Sequence, residues 1–139
     1  MNRYLVLAVL AVIAAFVAWS QYVGQNSDPV LADGAPLAQV IIPELQGDAA
    51  LGKPVFDANC AACHGANAAG QSGIAPSLIH PIYRSGHHGD ITFLLAVRNG
   101  VRAHHWKYGS MSPVEGVTDA EITLITAYVR ALQQENGIN

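Results

Sequence analysis

Asn59-Cys60-Ala61-Ala62-Cys63-His64-Gly65 is the stretch whose reading decides the fold. Two thiols three positions apart occupy one helical turn, so their sulfurs face the same side, and an imidazole follows at once. This is the attachment pattern of a c-type haem, in which each thiol forms a thioether with a haem vinyl group and the next residue reaches the iron. Cys60 and Cys63 are therefore the predicted covalent anchors of one haem c per chain, and His64 the predicted proximal iron ligand. Three other uses of two cysteines compete. A structural disulfide suits an even cysteine count in an exported protein but gives His64 no role. A thioredoxin-like redox pair needs surrounding alternation of strands and helices, which is not seen. A zinc site needs two more ligands, for which histidines 80, 87, 88, 104 and 105 are available.

Working outward, 139 residues leave room for one domain of ordinary size. So small a domain buries a limited core, and a large apolar cofactor at its centre supplies much of the missing interior. The net charge of −3 argues against nucleic acid, whose phosphates need a clustered basic surface. Charge is unevenly spread: Arg84, Arg98, Arg102 and Lys107 share the middle of the chain with Asp90 as the only acid between His80 and Lys107. This is either an ordinary solvated surface or a docking patch for an acidic redox partner.

At the start, Arg3 precedes an unbroken apolar run from Tyr4 to Trp19. The run lies between the length of a secretory signal and that of a spanning helix. Trp19 and Tyr22 stand where an interfacial aromatic belt belongs, and Arg3 predicts a cytoplasmic N-terminus. The expected organisation is a transmembrane anchor or signal over 1–23, a flexible Pro- and Gly-punctuated tether over 24–46, and a haem domain over 47–139. Retained, the anchor makes a single-pass protein of a bacterial inner membrane with its haem domain in the periplasm; cleaved, it leaves a soluble periplasmic protein. Val40, Ile41 and Ile42 offer the tether an alternative, docking as an extended strip.

The iron's second axial position separates electron carriage from ligand chemistry. Met1 and Met111 are the only methionines, and Met1 lies beyond the apolar run. Met111 sits in the turn-rich Gly109-Ser110-Met111-Ser112-Pro113 and is the predicted distal ligand. Its soft sulfur favours ferrous iron. The pairs His87-His88 and His104-His105 read as surface residues, with two alternatives: His104 or His105 replaces Met111, or the pairs collect copper or another divalent metal. Trp106, Tyr108 and Tyr83 read as pocket or core packing.

Helical signals complete the domain. Asp90 is placed to cap a helix carrying Ile91, Leu94, Leu95 and Val97, stopped by Asn99-Gly100. Thr118-Asp119-Ala120-Glu121 is a capping box preceding Ile122, Ile125, Val129 and Leu132 at helical spacing. With these motifs the chain resembles the class I cytochromes c of bacteria over roughly Gly47 to Leu132. The resemblance implies an all-α, compact class I cytochrome c-type domain around one covalent haem, preceded here by the N-terminal membrane helix. It implies that Gly52 and Phe56 meet the C-terminal helix, and that the Pro76 carbonyl accepts from the second nitrogen of His64. Two departures stand out. Pro54 requires the first helix to begin or bend near it, and Ser112 separates Met111 from Pro113 where the family has Met-Pro.

The function implied is that of a non-enzymatic, periplasmic one-electron carrier or relay. Its expected partners are a quinol-oxidising complex and an oxidase or reductase. The alternatives are a haem subunit or metal-handling accessory of a respiratory complex, and a small-ligand or peroxidase-like haem protein.

Overall fold

A computed structural model describes residues 2–25 and 31–139 and divides the chain into two compact units, Met1–Leu31 and Ala32–Asn139. The first unit contains one helix, α1 (Arg3–Gln25). From Arg3 to Tyr22 its mean hydropathy is 2.1 and none of that span is buried. At 1.5 Å per residue a helix of 23 residues runs about 34 Å, enough for a hydrocarbon core of roughly 30 Å. A signal segment near an N-terminus has the same character.

The second unit contains α2 (Gly47–Asn59), the single turn α3 (Ala61–His64), α4 (Asp90–Asn99) and α5 (Asp119–Glu135). Two short 3-10 turns lie at Ala66–Ala68 and Pro81–Tyr83. Among the described residues there are no strands, only the isolated bridges Gln71 to Ala75 and Val101 to Met111. The principal packing is α2 on α5. Gly52 makes this possible, because a Cβ there would fall 1.9 Å from the Leu124 carbonyl oxygen. One turn on, the fully buried Phe56 lies against Tyr128 with ring centroids 5.4 Å apart. Ile122, Ile125, Val129 and Leu132 fill the same core, following the helical spacing of the C-terminal segment. The Thr118 capping box is formed in full: its hydroxyl accepts from Glu121 N–H, and the Glu121 carboxylate accepts from Thr118 N–H.

Three local expectations are revised. First, of a start or a bend near Pro54 the start is excluded: α2 begins at Gly47 and Pro54 lies inside it. The carbonyl deprived of a partner belongs to Ala50, and both residues are exposed, so water can serve it. Second, Asp90 does not cap α4. Gly89 is the N-cap, and the Asp90 carboxylate instead pairs with Arg130 at 2.8 Å. Ile91 is left 60 % exposed while Phe93, Leu94 and Val97 meet the core.

Third, the stretch 24–46 is not a free tether over its described length. Gly24 and Gln25 belong to α1, and residues 26–30 lie outside the described residues. From Gly34 the chain is fastened to the domain: Gly34 N–H donates to Ser72 O at 2.8 Å, and Leu37 and Ala38 N–H both donate to Ala69 O. Farther on, Ile41 exchanges two hydrogen bonds of 2.9 and 2.8 Å with the Asn136 side chain, while Val40 and Leu45 pack on the core. A strap that satisfies its backbone groups and buries apolar side chains has a reason to stay in place.

Candidate haem-binding site

α2 delivers the chain to Cys60, where φ −121° and ψ −32° interrupt the helix before α3 carries Cys63 and His64. The turn needs help, since a helix of four residues pairs only its first carbonyl, that of Ala61 with Gly65 N–H, within the turn. Gln71 supplies the help: its side-chain amide donates to the carbonyls of Ala61, Ala62 and Cys63 at 3.2, 2.8 and 3.2 Å. Gly70 N–H closes the loop onto His64 O at 2.6 Å. Gly65 and Gly70 both have positive φ, and a Cβ on Gly65 would meet Gly70 O at 2.6 Å, so the turn behind the histidine requires glycine. Sequence reasoning missed Gln71, because a side chain reaching back to a turn leaves no periodic trace.

His64 Nδ1 lies 3.0 Å from Pro76 O. A carbonyl only accepts, so Nδ1 carries the proton and donates, leaving the lone pair on Nε2. Burial holds the His64 pKa below its usual value, against an opposing effect of the Pro76 carbonyl, so the neutral imidazole is favoured. The Cys60 thiol is pushed up to about 11, first by burial and then by Cys63, and stays protonated at neutral pH.

These residues line one cavity of about 1050 Å³ with largely apolar walls. Cys60, Cys63, His64, Pro76 and Met111 are all among its lining. Met111 is pinned by its backbone: Val101 and Met111 exchange N–H to carbonyl bonds of 2.9 Å in both directions, and Val114 N–H donates to Val97 O at 2.8 Å. Gly100, at φ 72°, lets this loop close, since a Cβ there would lie 2.5 Å from Met111 O. Leu78, Leu95, Ile122 and Ile125 add apolar surface. Trp106 and Tyr83 join across the cavity lining, Trp106 Nε1 donating to the Tyr83 hydroxyl at 2.8 Å. Burial raises the Tyr83 pKa, partly offset by this bond.

The histidine pairs lie at the surface, as expected, and they also converge. His87, His104 and His105 are exposed and His88 half-buried. Ring centroids are 4.6 Å apart for His87 and His88, 5.3 Å for His88 and His105, and 4.1 Å for His104 and His105. Of the basic middle, Arg98 is committed to Asp119 and the Val117 carbonyl, and Arg84 reaches Pro81 O.

The cavity fits a haem by its donors and walls: two cysteine sulfurs, an imidazole presenting Nε2, a thioether, and an apolar interior at the upper end of ordinary cofactor pockets, roughly 300–1,000 Å³. Fold and site together define a small helical haem-binding domain. The chain matches the cytochrome c family over residues 49–133, and it belongs to that family. It is similar to cytochrome c-554(547) of Halothiobacillus neapolitanus, with 33% identity over 95 residues covering 63% of this chain and 99% of that protein. No solved structure matches the chain. Membership makes the protein a haem c electron carrier.

Proposed function

We propose that the protein is a one-electron relay whose single haem would be bound through Cys60 and Cys63 thioethers with His64 and Met111 as iron ligands, with α1 as membrane anchor and the haem domain in the periplasm. The observation that carries this reading is that all four side chains line one apolar cavity. A bound haem supplies a ferrous–ferric couple.

The rest is the work of the chain. Cys60 and Cys63 would hold the haem, and Gln71 fixes the turn that bears them. Pro76 keeps the proton of His64 on Nδ1 and so keeps Nε2 a donor. Val101 holds Met111 at the cavity, where its sulfur favours the reduced state. Apolar walls exclude water, which disfavours added charge and further tunes the potential. The partners we propose are a quinol-oxidising donor complex and an oxidase or reductase as acceptor. Arg102 and Lys107, both exposed, are the basic groups left to meet an acidic partner.

The test is the visible spectrum of holoprotein matured in a host with haem-attachment machinery. A long-wavelength sulfur-to-iron band in the ferric wild type, lost in Met111→Ala, supports His64/Met111 ligation. Its absence from the wild type, with no change on mutation, rejects Met111 and moves the reading to a histidine ligand or an open, reactive site.

A further inference from the structure

Electron carriage leaves one chemical feature unused, the four imidazoles of His87-His88 and His104-His105. They come from opposite sides of α4, one pair in the loop before it and the other in the loop after it. In the fold, one ring nitrogen from each of His87, His88 and His105 lies within 4.8 Å of the other two. We propose that His87, His88 and His105 form a binding site for a divalent, imidazole-seeking cation, Cu²⁺ or Zn²⁺, at the rim of the haem cavity, with His104 in reach as a fourth donor.

Three observations support it. The first is orientation. His88 Nδ1 lies 2.7 Å from Ile82 O and His104 Nδ1 lies 2.8 Å from Arg102 O. Each carbonyl accepts, so each Nδ1 carries the proton and Nε2 is left as a lone-pair donor, the arrangement that metal-binding histidines characteristically adopt.

The second is rigidity. Arg130 donates to the carbonyls of both His88 and Tyr83 and to the buried Gln133, so the His88 backbone is tied to α5. The exposed His87 and His105 keep the rotamer freedom needed to draw in. Metal–nitrogen bonds of about 2.0–2.1 Å put tetrahedral donors about 3.4 Å apart, so closing from 4.8 Å needs side-chain rotation rather than backbone movement.

The third is donor chemistry. The group consists of imidazoles with no carboxylate among them, which suits copper or zinc and gives Ca²⁺ or Mg²⁺ nothing to hold. His88, His104 and His105 also line the large cavity, so the site sits in its wall.

The experiment uses untagged, full-length holoprotein in detergent, stripped with a chelator and titrated with Cu²⁺ by calorimetry and electron paramagnetic resonance. One saturable Cu²⁺ per chain with nitrogen hyperfine structure is expected, and His87→Asn should weaken it at least about tenfold. His87 is exposed and is not among the residues lining the cavity, so the variant keeps its fold and its haem site, which the unchanged haem spectrum reports. No saturable binding, or equal affinity in the variant, overturns the site. A variant whose ferric haem spectrum changes also overturns it, by placing His87 in the haem site. That outcome is separable from failure of the Met111 assignment, which is read in Met111→Ala.

Discussion

Gly52→Ala adds one methyl group at the tightest approach in the haem domain. The new Cβ would stand 1.9 Å from Leu124 O and 2.5 Å from Leu124 C, and both are backbone atoms that no rotamer change can move. Reaching ordinary contact at 3.4 Å requires about 1.5 Å of separation between α2 and α5. That separation would open the packing of Phe56 on Tyr128, which begins one turn later. Overpacking of this kind costs about 3 kcal/mol at its upper end, and alanine returns about 1 kcal/mol of helix propensity. The net expectation is a loss of about 2 kcal/mol.

Gly86→Ala is the matched control, because no atom lies within 4 Å of a Cβ there and its φ is not positive. It should be neutral or stabilising by up to about 1 kcal/mol. Guanidinium unfolding of the two holoproteins, followed by far-ultraviolet circular dichroism, measures both. A Gly52→Ala midpoint equal to or above that of wild type would refute the packing argument, since it would mean that the helices do not approach at Leu124.

Four other consequences can be measured. Gln71→Ala removes the amide shared by three carbonyls of α3 and should cost about 1–2 kcal/mol, with faster amide exchange around Cys63 as the local readout. Asn136→Ala severs both bonds to Ile41; proteolysis should then cut within 37–45 at a rate that wild type does not show, and an unchanged rate would mean that apolar packing alone holds the strap. Thr118→Ala should lose about 1 kcal/mol of stability through its cap. The Glu121 carboxyl, held below its usual 4.5 chiefly by the Thr118 N–H, stabilises the fold above that pH and loses this contribution as pH falls through its lower folded value, so the acid limb of the stability profile should be shallower in a Glu121→Gln variant.

What the sequence made legible was whatever depends on neighbours along the chain. Cys60, Cys63 and His64 lie within one turn, and the Thr118 box and the apolar spacing of α5 are equally local. The family resemblance extended this to Gly52 and Phe56, whose partners Leu124 and Tyr128 are distant in sequence. Readings failed where a tertiary partner outbid a local one. Asp90 had a cap available and instead met Arg130, forty positions later. Residues 34–41 lack periodicity because they belong to no helix, yet Ser72, Ala69 and Asn136 hold them. The convergence of the histidine pairs was not legible, because the two loops that carry them are separated in sequence by α4 and meet only in the fold.

The chain segments that bring His64 and Met111 to the cavity are built to different standards, and the difference bears on how the protein carries an electron. Behind His64 the turn is held by Gln71, Gly70 and Pro76, in a region where Ala68, Ala69 and Ala75 are buried. Met111 is held by the Val101 bridge and the nearby Val114 to Val97 bond, at the base of a loop whose outer residues, Arg102 to His105 and Lys107, are exposed. Local opening therefore begins on the methionine side, where fewer buried contacts must break. Fast electron exchange wants both ligands unchanged between oxidation states, so the bridge between Val101 and Met111 is the element on which the carrier reading leans most heavily. Replacing Val101 with proline removes its N–H and one of the two bonds while leaving the Met111 side chain intact. The expected result is a sulfur-to-iron band that weakens on mild warming well before the domain unfolds, whereas a band lost only with global unfolding would show that cavity packing, not the bridge, keeps the sulfur in place.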